Sequence, residues 1–325
     1  MYCLFDKSTD PYWNLAAEEY LLKSLDIPVF RLWRNEDSVI IGKNQNAMAE
    51  INLDFVRDNK VKVVRRLTGG GAVFHDLGNI NFTFVDKKID GEDTGAMFRR
   101  FTSPVVEALN NIGVKAYLEG RNDLLIDGRK FSGNAICIHR DRILQHGTLL
   151  FSSSIGNLSG ALQVREEKFS GRAVKSNRSR VTNISEHLSE KMDITQFMEY
   201  LRSFIGKECI PYEYTAYDIE AIDRLCEEKY SREWWNFGQS PRYSFSKCEK
   251  FPAGLVELFF DVENGCIKNL KVFGDYFFRK PTEDFCARME GCPHSEKEIA
   301  GRLSETALDD YFCGIPGEDL SRMFF

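Results

Sequence analysis

The sequence predicts an α+β protein in two domains, on three observations. Two dipeptides of the tight-hairpin type, Asp127-Gly128 and Asn264-Gly265, lie between strand-like runs, which calls for antiparallel pairing. Stretches of helical periodicity with recognisable caps alternate with those strands. Between Ser244 and Lys250 an aromatic, turn-rich passage gives way to a piece with its own hairpin and short helices. A larger domain over 1–245 and a small α+β domain over 250–325 are therefore expected.

Along the chain, Asp10-Pro11 opens the first helix as cap and first-turn proline, and Trp13, Ala17, Tyr20 and Leu21 follow at helical spacing. VFRLWRN and SVIIGKNQN read as strands separated by Asn35-Glu36-Asp37, and VKVVRR is a third that carries two arginines at its end. AVFHD and INFTFV continue as strand, with Ile80, Phe82 and Phe84 on one face. From Phe98 an amphipathic helix presents Phe101, Val105, Leu109 and Ile112 on one side, and Gly113 is its stop. DLLI, Asp127-Gly128 and RKFSGNA form a hairpin, and ICIHRDRILQHGTLLF an antiparallel pair. Helical periodicity returns over Ile194 to Phe204 and around Leu225. In the C-terminal piece GLVELFFDVENGCIKNLKVFG is a hairpin, and Ser295 with Glu298 has the capping-box pattern.

Composition excludes several classes. The chain has 325 residues, 43% of them hydrophobic, and a net charge of -6; the acidic balance argues against a nucleic-acid partner. No run approaches the roughly 20 apolar residues of a membrane span, and MYCLFDKSTDPYW lacks the basic-then-apolar start of a secretory signal. A cytoplasmic protein without membrane contact is expected. Nine scattered cysteines without a CxxC pair read as reduced thiols. Cys286, Cys292 and His294 lack a fourth metal ligand.

The densest chemistry lies in RRLTGGGAVFHDLGN, residues 65–79. Three glycines remove every Cβ, so backbone N–H groups can approach an anion or a flat ligand. No Lys-Ser or Lys-Thr follows them, and Phe74 in a strand occupies the place of the third glycine of a dinucleotide fingerprint, so neither common phosphate loop fits. What stays open is a phosphate site flanked by Arg65 and Arg66, or a glycine-rich strand crossover. Lys130 is either a solvated charge beyond a turn or a ligand contact, the latter favoured by small Ser132, Gly133, Asn134 and Ala135 beside it and by Asn122 and Asp123 on the other arm. The segment with Lys168, Arg172, Lys175, Arg178 and Arg180 is a solvated loop or a lid over an anion. His139, His146, His187 and His294 stand without obvious partners, and Cys137 is a nucleophile candidate whose alternation with Ile136 and Ile138 also fits a packed thiol.

RRLTGGGAVFHDLGN, GRNDLLIDGRKFSGNA, QHGTLLF, KSNRSRVTN and WWNFGQSP, in this order and at these separations, closely resemble lipoate-protein ligase A, over nearly the full chain. The resemblance implies an α/β catalytic domain with a mostly antiparallel sheet, of the class II synthetase and biotin ligase kind, plus an accessory domain. It implies ATP, Mg2+ and lipoate, with lipoyl-AMP as intermediate, and as acceptors the lipoyl domains of 2-oxoacid dehydrogenase E2 subunits and the glycine-cleavage H protein. By the same resemblance Lys130 holds the lipoate carboxylate and the α-phosphate together. Arg66, Gly71, Ala72, Val73, Phe74, Arg178 and Arg180 belong to the ATP or adenylate site; Arg65, Gly69, Gly70, His75, Asn134 and Ala135 to the lipoate site; Asp76, Asn79, Asn122 and Asp123 support them. Metal ligands are not designated, and a monomer is expected. Thr68 stands where many members have serine, and Asn134 where some do. The rivals are an ATP-independent acyltransferase using Cys137, a biotin ligase, and a non-catalytic nucleic-acid binder.

Overall fold

A computed structural model describes the chain except residues 46, 48–50, 155, 157–160, 163–180, 238–244 and 264, and only the backbone of 53, 54 and 57. The basic segment with Arg178 and Arg180 thus lies outside the described residues, as does Asn264 of the second hairpin.

The strands are β1 (Tyr2–Phe5), β2 (Val29–Trp33), β3 (Ser38–Ile41), β4 (Lys62–Arg65), β5 (Val73–His75), β6 (Asn79–Lys87), β7 (Ala116–Glu119), β8 (Asp123–Ile126), β9 (Arg129–His139), β10 (Arg142–Leu150), β11 (Ile210–Pro211), β12 (Phe245–Phe251), β13 (Gly254–Glu263) and β14 (Cys266–Gly274). The helices are α1 (Pro11–Lys23), α2 (Leu53–Asp58), α3 (Thr94–Asn111), α4 (Ile194–Ile205), α5 (Ala216–Leu225), α6 (Glu233–Asn236), α7 (Thr282–Met289), α8 (Glu296–Ser304) and α9 (Gly317–Arg322). An eight-stranded sheet runs β11-β1-β2-β6-β10-β9-β8-β7, and β4-β3-β5 and β12-β13-β14 are smaller sheets. Among the described strands, β1 pairs in parallel with β2 and β11, and β3 with β4; the other strand pairs are antiparallel. The fold is the mixed α+β architecture with a mostly antiparallel sheet that the sequence predicts.

Both faces of the large sheet are covered, and β6 shows why its residues look continuously buried. Ile80, Phe82 and Phe84 point to the core under α3 and α4, where Phe84 stacks on Phe30 at 4.8 Å and on Phe101 at 5.8 Å. The alternate residues point to the opposite face: Thr83 meets Glu18 of α1 and Val85 packs beside Leu21 and Leu22. Helix α1 begins as its sequence demands, with the Asp10 carboxylate accepting from Tyr12 N. It fills the space between the large sheet and β4-β3-β5, touching Ile40 and Val64 through Leu15, Ala16 and Tyr20.

Some boundaries differ from the sequence reading. Helix α3 starts at Thr94, capped by Asp93, ahead of the first apolar residue of its stripe. RKFSGNA and ICIH form one strand, β9, because Asp127 and Gly128 take the left-handed conformation that turns a two-residue hairpin at its start, and Arg140 does so at its end. β12 begins at Phe245, within the stretch read as a boundary, and pairs along β13.

The C-terminal unit buries its own core between β13, β14 and the helices that follow. It meets the rest of the chain beside the glycine stretch. Phe277 packs edge-on against Phe98 at 5.8 Å, and Arg121 lies 3.9 Å over its ring. Gly274 N donates to Asn44 O at 2.6 Å. A Cβ on Gly69 would stand 2.6 Å from Tyr276 O, so this glycine is required by close approach of the C-terminal unit.

Candidate active site

A cavity opens on the α1 face of the large sheet, where β2, β6, β10 and β9 lie side by side. The register places Trp33 opposite Asn81, Asn81 opposite Thr148, and Gly147 opposite Asn134. All five line the cavity, with Ala135, His146, Gly133, Leu15, Ile40 and the strip Gly70 to Val73. Its depth is largely apolar and its mouth carries a cation, Lys130.

Arg66 organises the glycine strip. Its guanidinium donates to Gly69 O at 2.7 Å, Gly71 O at 2.8 Å, Ile40 O at 3.1 Å and the Thr68 hydroxyl at 2.9 Å. This fork of donors curls the strip around one side chain, a task a lysine cannot perform. Burial lowers the Arg66 pKa to about 10, which leaves it charged at neutral pH. Gly70 takes a left-handed φ of 89°, and its carbonyl lies 2.0 Å from where a Gly42 Cβ would be. Gly71 faces open space.

Arg65 points away from the cavity. Its donors are spent on the carbonyls of Gly42, Lys43, Gln45, Trp235 and Asn236, so it fastens the wall from behind. Phe74 also faces away, among Val39, Ile41 and Val63. Asp76 accepts from Gly78 N at 2.9 Å and Ser154 N at 2.7 Å, which shapes the turn after His75. Asn79 lies behind Asn81 and donates to its Oδ1 at 2.9 Å.

On the other side, the Lys130 ammonium stands 2.7 Å from Asp123 Oδ1, with 40% of its side chain exposed. Asn122 and Asn134 brace this arm: Asn134 Nδ2 donates to Asn122 O at 3.0 Å and its Oδ1 accepts from Gln145 at 2.7 Å. Val181, the first described residue after the basic segment, bridges to Lys130, and Thr182 N donates to Lys130 O at 2.9 Å.

His146 corrects the reading that it stands without a partner. Its Nδ1 lies 2.9 Å from Glu18 Oε2, its Nε2 lies 2.8 Å from the Thr68 hydroxyl, and it lines the cavity. Glu18 also accepts from Thr83 at 2.6 Å, and Thr83 accepts from Trp33 Nε1. Burial alone would raise the Glu18 carboxyl, but His146, Thr83 and Arg31 together hold it below the ordinary range. In the sequence Glu18 stands one turn beyond Asn14 on α1, a pair that reads equally well as a solvated helix face.

His75 is buried and faces Asn35 Nδ2 through Nδ1 at 3.1 Å. Burial, with Arg66 adding repulsion, lowers its pKa from 6.5 to about 3, so it is neutral in the folded protein. An unfolded chain takes up that proton below pH 6.5 while the folded one does not, so stability falls as pH drops from 6.5 towards 3. Denaturant titrations should show His75→Gln losing about 1.4 kcal/mol less per pH unit than the parent between pH 6 and pH 4; parallel slopes would refute a neutral His75.

Cys137 does not line the cavity, and burial pushes its thiol up to about 12. Among the described residues no group of three or more His, Cys, Asp or Glu could hold a metal ion, and no helix is long and apolar enough to cross a membrane.

Residues 10–205 match the family described as the lipoyl protein ligase A/B catalytic domain, and residues 240–324 match the bacterial lipoate protein ligase C-terminus. The chain is 41% identical over 323 residues to lipoate-protein ligase LplJ of Bacillus subtilis (strain 168), covering 97% of each. It belongs to the lipoate-protein ligase family. Of the solved structures similar to it, P. falciparum LipL1 in complex with lipoate has a TM-score of 0.75 at 27% identity, covering 94% of each chain. A lipoate-protein ligase A bound with ATP has a TM-score of 0.63 at 29% identity, covering 73% of this chain and 98% of that one. As a lipoate-protein ligase, the chain uses ATP to activate lipoate as lipoyl-AMP and transfers the lipoyl group to a lysine of lipoyl domains.

Proposed function

We propose that lipoyl-AMP forms across the mouth of this cavity, with Lys130 joining the lipoate carboxylate and the α-phosphate. The observation that carries this reading is the Lys130 ammonium held beside Asp123 where an apolar cavity meets the glycine strip. The lipoyl chain runs inward past Ala135 and Ile40, and the carboxylate oxygen attacks the α-phosphorus as pyrophosphate leaves. Lys130 and the backbone from Gly71 to Val73 stabilise the charge that builds up on the phosphate, and Arg66 acts by holding that backbone in place. Arg178 and Arg180 are expected at the adenylate, which the bridge of Val181 to Lys130 supports. The described residues offer no group of three or more His, Cys, Asp or Glu for a metal, so a magnesium ion would come with the triphosphate, whose oxygens and water supply most ligands in such sites, and would neutralise phosphate charge.

The acceptor lysine amine then attacks the acyl carbonyl and AMP leaves. The acceptors are the lipoyl domains of 2-oxoacid dehydrogenase E2 subunits and the glycine-cleavage H protein. Residues 1–245 form the adenylate and 250–325 are the accessory unit, in a cytoplasmic monomer with no nucleic-acid partner. No enzyme thioester is needed, which suits a Cys137 thiol held protonated. Incubation with ATP, Mg2+, lipoate and a lipoyl domain should release one AMP per acceptor that gains the lipoyl mass, in the parent and in Cys137→Ser alike. Acceptor modification without AMP release, or its loss in Cys137→Ser, would favour the acyltransferase.

A further inference from the structure

The inner end of the cavity is not wholly apolar. Asn81 and His75 line it at 2% and 4% exposure, and Asn81 Nδ2 and His75 Nε2 have no hydrogen-bond partner among the described residues. Buried polar groups in folded proteins are paired as a rule, so two such atoms in one cavity point to a ligand.

Both atoms are donors as the structure places them, and for His75 the network behind it fixes this. Arg31, which can only donate, gives a hydrogen bond to Asn14 Oδ1. Asn14 Nδ2 is therefore the donor side, its two N–H groups shared among two carbonyls and Asn35 Oδ1 at 2.9 Å. Asn35 Nδ2 in turn donates to His75 Nδ1, which leaves the imidazole proton on Nε2. Asn81 Oδ1 is occupied by Asn79, so its free group is the amide N–H2. Trp33, beside both, offers nothing further, since its own N–H is given to Thr83.

The position is that of the far end of an acyl chain. Asn81 sits opposite Thr148, whose hydroxyl accepts from Gly133 N, and Lys130 Nζ lies 3.1 Å from where a Gly133 Cβ would be. Two inter-strand steps, about 10 Å, thus separate Asn81 from the lysine, a distance suited to a chain whose carboxylate is held at Lys130.

We propose that Asn81 and His75 make the inner end of the cavity selective for an acyl chain that ends in hydrogen-bond acceptors, the ring sulfurs of lipoate, over the saturated chain of octanoate. This rests on the reading of the cavity as the acyl site. Sulfur is a weak acceptor, but a saturated chain offers none and leaves two buried donors unpaired. A site built to hydrogen-bond its substrate rejects an analogue of the same shape that cannot respond.

The test follows ATP-dependent pyrophosphate release by the full chain with lipoate, octanoate and 5-cyclopentylpentanoate, in which methylenes replace the ring sulfurs. The parent should prefer lipoate over both by roughly tenfold in kcat/KM. In Asn81→Leu the ratios should fall towards one. The cyclopentyl acid keeps the question open to the unaltered protein should Asn81→Leu fail to fold. Equal use of lipoate and the cyclopentyl acid by the parent, or unchanged ratios in a folded Asn81→Leu, overturns the selectivity and leaves the acyl-site reading intact. Release with none of the three acids overturns both.

Discussion

Lys130→Ala should lower ATP-dependent pyrophosphate release with lipoate by about 10²–10³-fold, the loss typical when one preorganised donor to a developing oxyanion is removed. The amine stands at the cavity mouth, beside Asp123 and across from the glycine strip. Among the described residues Arg66 is the other lysine or arginine that lines the cavity, and four of its five N–H groups go to three carbonyls and Thr68. The fold should be indifferent to the change, since the side chain is 40% exposed and its ion pair with Asp123 is half-solvated. Thermal unfolding is the control: an unchanged midpoint with lost release assigns the effect to chemistry. Preserved release in a folded variant would show that Lys130 is a solvated charge.

Glu18→Ala should destabilise the fold by about 1–3 kcal/mol for each buried donor left unsatisfied, and His146 and Thr83 both lose their acceptor. The carboxylate is 2% exposed and takes hydrogen bonds from His146 and Thr83. Through His146 and Thr68 it reaches the Arg66 guanidinium, so pyrophosphate release should fall as well. The pH dependence has a definite sign. The folded pKa lies below the ordinary value near 4.3, so the contribution of Glu18 is complete above that value and is lost as pH falls through the lowered one. The gap between parent and Glu18→Ala in urea titrations should therefore shrink as pH falls below 4. A gap that widens below pH 4 would contradict a depressed Glu18.

These two residues differ in how visible they were. Lys130 could be picked out because a hairpin dipeptide fixes its register and the small residues after it leave room for a ligand. Glu18 could not, because a glutamate on a helix is ordinarily solvated, and only the packing of α1 against β6 and β10 shows that it faces inward. His146 was hidden for the same reason: its partners Glu18 and Thr68 are far from it in the chain. The two arginines look equivalent in the sequence, yet successive residues at a strand end point to opposite sides. Arg66 turns to the cavity and Arg65 to the carbonyls behind it.

The sequence by itself determined the α+β class, the hairpins, the helix caps and the motifs that mark the family, because each depends on residues close together in the chain. Turn conformations, capping bonds and the two-residue alternation of strands are local physics. The tertiary structure alone decided which face of the sheet holds the cavity, that α1 supplies the acid behind the glycine strip, and that Asn81 and His75 keep free donors at its inner end. Those facts depend on register across four strands and on burial, which turns an ordinary polar side chain into one that must find a partner.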